Sequence, residues 1–290
     1  MMSPGTLEAL ERWFYAYAGG FAPEDADRRK VIEMKAEHCL RVRGEIRDIA
    51  ENAGLEPEEV RLAEAVGLLH DVGRFGQVAR YGTFADLTST NHARLGVRVL
   101  RSEGVLERVE LPARKIILVA VENHNKPGIP ARLKGRAFLH SRLIRDADKL
   151  DIYRILTDIY ARRGKPAEAG DSVFLELPDE EVHGGEVPGV EAPGGTGGSP
   201  KEDRTGVSVV SERVYRNVLE GRVVPYAELK NLNDFKLLQM GWVYDLNFPL
   251  SLRRTRDRRF LDKIRESMPP SKMVDEVYNR VRSYLDDRCA

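Results

Sequence analysis

Cysteine is almost missing from this 290-residue chain. Cys39 and Cys289 are the only two, which excludes a disulfide framework of the kind small secreted scaffolds depend on. No run of about 18 apolar residues occurs, so no membrane-spanning helix is expected. An excess of either charge is lacking too: 46 basic side chains face 46 acidic ones, and the pI is near 7.0. That balance argues against a main task of coating nucleic acid or an anionic membrane, either of which calls for a basic surplus. Met1 to Phe14 has neither the basic start nor the apolar stretch of a secretory leader. These absences predict a reduced, cytoplasmic globule, and 290 residues with 42% hydrophobic content suffice for one or two domains with a real core.

What is present is helical periodicity. Leu7, Leu10, Trp13, Phe14 and Tyr17 share one face of a short helix that stops at Gly19-Gly20. Val31, Met34, His38, Val42, Ile46 and Ile49 trace one side of a long helix from Asp27 to Asn52. Pro57 opens the next, with Ala63, Val66 and His70 on one face, and Gly73 is expected to end it. Tyr81 to Thr90 reads as loop. Asn91 can cap a helix running to Gly104, Pro112 starts another through His124, and Arg132 to Arg163 reads as one long helix. Beyond Gly164 the composition changes. Seven glycines fall among the 15 residues from Gly184 to Gly198, and eight acids stand against Lys201 alone between Glu176 and Asp203, predicting a flexible acidic insertion over 165–205. Helical spacing resumes over Val207–Leu219, Leu229–Met240, Thr255–Ser267 and Lys272–Asp287. No strand alternation is sustained, so the expected fold is all-α. The expected parts are a helical domain over 1–164, the insertion, and a C-terminal helical segment over 206–290 that packs on the core.

Four of the six histidines, His38, His70, His92 and His124, fall on or at the start of four different predicted helices. One histidine on an apolar face is ordinarily a satisfied core residue. Four of them, one joined to Asp71, are better explained by convergence on a cation, which offsets the cost of burying imidazoles and fixes each ring. Neighbours on a helix point about 100° apart, so His70 and Asp71 can share a site only where the helix ends. With two oxygens, Asp71 is the natural bridge between two ions. A further acid is expected from Asp146, Asp148 and Asp151. Asp148 is in register with Ile144, Ile152 and Ile155 and is the ligand candidate, Asp151 is the reserve, and Asp146 reads as a solvated charge.

The order His38, His70-Asp71, His92, His124, Asp148 resembles the HD superfamily of metal-dependent phosphohydrolases, over a stretch from about Trp13 to Tyr160. The two extra histidines resemble its dinuclear subgroup. Carried over by position, the resemblance implies one ion on His38, His70, Asp71 and Asp148 and a second on Asp71, His92 and His124, in an all-helical fold around that centre. Val72-Gly73-Arg74-Phe75 lacks the acidic pair of the stringent-response alarmone hydrolases. Asn125 stands where the cyclic dinucleotide phosphodiesterases of the HD-GYP type carry a second histidine. Neither of those two specialised activities is expected.

Mixed nitrogen and oxygen ligands suit divalent Mn, Fe, Co, Ni or Zn, two ions in all, better than Mg or Ca. Such a pair lowers the pKa of a shared water, and the hydroxide so formed would attack a small phosphate ester, a nucleotide among the candidates. Arg74, three residues beyond Asp71, and Lys149, next to Asp148, are the residues expected to neutralise the phosphate near the metals, with Lys35, one turn before His38, a weaker candidate. A dinuclear iron oxygenase and a non-catalytic nucleotide-binding regulator are the alternatives. His140 is expected in the core or behind the site, and His183 in the insertion is expected to be inert. Arg253, Arg254, Arg256, Arg258 and Arg259 read as a solvated helix face in place of a nucleic-acid site, and Trp242 to Tyr244 as C-terminal core.

Overall fold

A computed structural model of the chain describes residues 2–21, 25–162 and 209–289. The expected insertion and His183 lie outside the described residues. Those described are helical, with no strand among them. The elements are α1 (Pro4–Gly19), α2 (Ala26–Asn52), α3 (Pro57–Leu69), α4 (Val72–Tyr81), α5 (His92–Ser102), α6 (Leu111–Asn123) and α7 (Gly135–Ala161). After the undescribed stretch come α8 (Glu212–Leu219), α9 (Leu232–Gly241), α10 (Pro249–Asp257), α11 (Phe260–Glu266) and α12 (Lys272–Cys289), with short 3-10 turns at Tyr226–Glu228 and Trp242–Asp245.

Several helices begin where their sequence supplies a cap. Ser3 Oγ accepts from Thr6 N at 3.2 Å, Asp25 from Arg28 N at 2.8 Å and Asn91 from Arg94 N at 2.9 Å, each satisfying an amide that the first turn leaves without a partner. α2 packs on α3 and α7, α6 lies against α5 and α7, and α4 pairs with α5. Their apolar stripes meet in one cluster of buried residues that runs from Leu10 and Phe14 through Val42, Ile46, Val66, Phe75, Ile117 and Leu150. Each such side chain contributes about 1.5–3 kcal/mol on burial. The same cluster continues into Val214, Leu237, Met240, Ile264 and Val277 of the C-terminal helices. Tyr153 of α7 is the joint: it stacks on Phe260, meets Trp242 edge-on, and donates to Gln239 O at 2.6 Å.

Four expectations are corrected here. The helix from Pro57 does not run to Gly73: it ends at Leu69, Asp71 has φ −113° and ψ 17°, and α4 starts at Val72. Gly73 sits inside α4, where a Cβ would lie 2.2 Å from His92 O and 2.5 Å from Gly96 N, so its role is the close crossing of α4 and α5. The single helix expected over Thr255–Ser267 is two, split at Arg259, whose φ is 56°. The arginine face is not merely solvated: Arg254 reaches Glu45 at 2.5 Å and Asp48 at 2.6 Å, and Arg258 reaches Glu45 at 2.6 Å, tying α10 to α2. Asp146, read as a solvated charge, is fully buried. It accepts from Asn247 N at 2.8 Å, Asn247 Nδ2 at 2.8 Å and Phe248 N at 3.0 Å, because the C-terminal segment covers this side of α7.

Candidate metal centre

The ends of helices converge on one point. His70 is the residue that closes α3, Asp71 lies between α3 and α4, His92 opens α5, and His124 closes α6. His38 and Asp148 come from the middles of α2 and α7. All four imidazoles and Asp71 are buried. Asp71 divides its carboxylate between two histidine pairs. Oδ2 lies 3.3 Å from His70 Nε2 and 3.6 Å from His38 Nε2, while Oδ1 lies 3.3 Å from His92 Nε2 and 3.3 Å from His124 Nε2. Asp148 Oδ1 stands 3.2 Å from His38 Nε2 and 3.6 Å from His70 Nε2. The structure thus brings together all six residues singled out as ligands.

The other ring nitrogens are all engaged. His38 Nδ1 bonds Asp151 at 2.7 Å, His70 Nδ1 bonds Gly67 O at 2.7 Å, His92 Nδ1 bonds Asp86 at 2.8 Å and His124 Nδ1 bonds Val121 O at 2.7 Å. A carbonyl can only accept, so Nδ1 of His70 and His124 carries hydrogen, and in the neutral ring the lone pair is on Nε2. Two such nitrogens face each other at 3.2 Å (His38, His70) and two at 3.0 Å (His92, His124). Lone pairs this close repel unless a cation or proton stands between them. Asp71 Oδ1 and Asp148 Oδ1 are buried without a hydrogen-bond donor, a costly state that a cation relieves. Among the described residues, three trios have donor atoms within 4.8 Å of one another: His38, His70 and Asp71; Asp71, His92 and His124; and His70, His124 and Asp148. The donor set therefore fits divalent metal, with imidazoles held from behind as metal-ligating histidines are.

Electrostatics point the same way. Burial opposes ionisation of Asp71, but the Lys35 ammonium and His70 more than reverse it and hold the carboxyl well below its usual range. Asp148 is held well below its range too, with burial overcome by the neighbouring His38 and His70 imidazoles. Burial and the Arg74 charge push the His92 imidazole down to about 3. His70 goes the opposite way: burial pulls it down, yet the Asp71 charge and Asp148 carry it up to about 9. Without metal, the two carboxylates keep a proton where a metal would supply the positive charge.

The residues expected to meet phosphate are placed at the edges. Arg74 donates from Nη1 to Phe84 O, to Gln77 Oε1 at 2.7 Å and to Asp86 at 3.3 Å. Its Nε is 3.9 Å from Asp71 Oδ1 and makes no hydrogen bond. Lys149 Nζ donates to Asp245 at 2.7 Å, away from Asp71. Asp151 braces His38 and takes Arg41 and Arg154 on its other side. His140 bonds Glu59 at 2.8 Å, outside the centre. Asp86, which serves His92 and also accepts from Gln77 and Asn125, has no counterpart in the reading from sequence. The only signal was an acid six residues before a candidate ligand. Lys35 Nζ sits on Asp71 Oδ2.

Residues 36–153 match the family model of the HD domain. That stretch contains His38, His70, Asp71, His92, His124 and Asp148 together with the bracing carboxylates Asp86 and Asp151. No curated protein and no solved structure matches the chain. An all-α chain with an HD-type stretch around a histidine–aspartate cluster is the class defined by the fold and the site, and HD domains are typically metal-dependent phosphohydrolases. No helix among the described residues is long and apolar enough to cross a membrane.

Proposed function

We propose that this chain is a metal-dependent phosphohydrolase that cleaves a small phosphate ester, with a nucleotide among the candidate substrates, at a dinuclear centre. The observation that carries the dinuclear reading is the division of Asp71, one oxygen to His38 and His70 and the other to His92 and His124. His38, His70, Asp71 and Asp148 would hold one divalent transition ion, and Asp71, His92 and His124 the other. Mn, Fe, Co, Ni and Zn suit these mixed donors. Bound ions would supply Lewis acidity for a phosphoryl oxygen and bring the pKa of water toward neutrality.

The chain's own residues prepare that chemistry. Asp151, Gly67, Asp86 and Val121 fix all four rings so that no reorganisation is needed when a ligand arrives. Asp71 is buried, and the low dielectric around it strengthens every charge interaction it makes. Arg74 Nε, buried and without an acceptor, is a positive group directed toward Asp71 whose charge would help neutralise a bound phosphate. Lys149 sits behind Asp148, and its pairing with Asp245 makes it a contributor to the local field instead of a direct contact.

The test is metal analysis of protein purified without chelators, followed by an anaerobic screen of phosphate esters. More than one metal equivalent, phosphate release without oxygen and loss of both in Asp71→Ala are expected. Metal-replete protein that hydrolyses no ester but consumes oxygen with an organic substrate would replace this reading with the oxygenase. Tight nucleotide binding without turnover would replace it with a regulator.

A further inference from the structure

Lys35 presents a donor imbalance. The residue is 5% exposed, and an ammonium carries three N–H donors. Among the described residues its one ionic partner is Asp71 Oδ2, and its one further contact is the Phe84 ring, 5.7 Å from Nζ to the centroid. Two N–H groups therefore lack an acceptor in a buried place, where each such deficit is costly. Among the described residues the other cations around the cluster have their charged ends tied to fixed partners, although Arg74 also keeps one N–H, its Nε, without an acceptor. Arg41 is committed to Asp151, Arg74 through Nη1 to Phe84 O and Asp86, Lys126 to Asn123, and Arg145 and Lys149 to Asp245.

The oxygen that Lys35 touches is also the one turned toward His38 and His70. A divalent ion on that pair would share Asp71 Oδ2 with the ammonium, placing two positive groups beside one carboxylate oxygen. Their repulsion is relieved by a second anion that both can touch, and a tetrahedral oxyanion has oxygens enough to accept the spare donors and meet a metal as well.

We propose that Lys35 is the substrate-binding residue of the centre, donating to a phosphoryl oxygen while it keeps Asp71 in place. The ligand class is a phosphate monoester or the phosphate it releases. This assignment rests on the phosphohydrolase reading for its substrate but not for its measurement.

The experiment uses the full-length, metal-loaded protein and inorganic phosphate as the probe. Isothermal titration gives its affinity for wild type and Lys35→Met, alongside metal content by mass spectrometry. Lys35→Met is expected to keep its metal and to bind phosphate about ten- to a hundredfold more weakly, the loss of one charge-assisted contact. Should the methionine variant lose its fold, Lys35→Gln, which keeps a donor for Asp71 without the charge, reads the same affinity. Metal-loaded variant that binds phosphate as tightly as wild type would overturn the assignment, leaving Lys35 as a brace for Asp71. So would wild type that binds no phosphate. Failure of the activity screen with the Lys35-dependent phosphate affinity intact would instead sink the hydrolase reading and leave the anion site standing.

Discussion

His70 and His124 occupy matching positions in the fold. Each closes a helix, α3 or α6, and each turns its Nδ1 back onto the carbonyl three residues earlier, Gly67 O or Val121 O, at 2.7 Å. Their partners differ in kind. His38 and His92 are held by side-chain carboxylates, Asp151 and Asp86. Each histidine pair thus has one ring fixed by backbone and one fixed by an acid that can be removed by mutation.

That asymmetry gives a selective test. Losing an outer carboxylate typically costs ten- to a hundredfold in metal affinity, roughly 1.4–2.7 kcal/mol. Asp151→Ala should weaken the equivalent bound by His38 and His70, and Asp86→Ala the one bound by His92 and His124. Chelator-competition titrations resolve the two. Because Asp148 Oδ1 lies 3.2 and 3.6 Å from the first pair and adds a donor there, the His92–His124 equivalent should leave first in wild type. Equal weakening of both equivalents by either variant would contradict two separate subsites.

Metal uptake should release protons. Held up to about 9 by Asp71 and Asp148 against the effect of burial, the His70 imidazole is protonated at pH 7.5 in metal-free protein, and a ligating imidazole must be neutral. His92, held down to about 3, has no proton to give. Calorimetric enthalpies measured in two buffers of different ionisation enthalpy should therefore differ by at least one proton's worth. The sign also holds for stability. A raised pKa stabilises the metal-free fold fully below the ordinary histidine value near 6.5 and loses that contribution as pH rises through about 9. Identical enthalpies in the two buffers would show that His70 is already neutral.

The histidines were legible because each lies on or opens an apolar helical face, and Asp148 because it keeps register with Ile144, Ile152 and Ile155. Asp146 was misread for a physical reason. Periodicity shows which residues share a side of α7, but burial depends on what covers that side, and the covering residues, Asn247 and Phe248, lie about a hundred positions later. Gly73 was misread because a glycine after a helix looks the same in sequence whether it ends the helix or admits another backbone. Asp86 was invisible because loop positions carry no periodicity, so nothing in the loop itself aims an acid at a ring.

Two glycines of α4 separate close approach from mere smallness. At Gly73 an added Cβ meets backbone, 2.2 Å from His92 O and 2.5 Å from Gly96 N, so α4 and α5 must part. Gly73→Ala should cost about 3 kcal/mol and, by moving His92, lower metal content. At Gly76 the nearest atom is Leu95 Cδ2 at 3.8 Å, an ordinary contact. Gly76→Ala should be neutral or stabilise by up to about 1 kcal/mol through helix propensity. Urea midpoints of the two variants give the comparison, and equal midpoints would mean that the α4–α5 crossing yields without cost.

The pair Glu59 and His140 should make folding acid-sensitive independently of the metal centre. His140 Nε2 bonds Glu59 at 2.8 Å, its Nδ1 is buried without a partner, and Arg136 reaches the same carboxylate at 2.5 Å. Burial pushes the His140 imidazole below its ordinary value despite Glu59, since a proton on Nδ1 would have no acceptor. As pH falls below about 6.5, the unfolded chain takes up that proton and the folded chain does not, so stability drops. Glu59 adds to this at lower pH: burial would raise it, but His140 and Arg136 hold it down, so its contribution is present above the ordinary carboxylate value and lost as pH falls through the depressed one. His140→Gln keeps a donor for Glu59 and does not titrate. In metal-stripped protein, the urea midpoint of wild type should therefore fall toward that of His140→Gln between pH 7.5 and pH 5. A wild-type advantage that stays constant over that window would mean that His140 takes its proton as readily folded as unfolded.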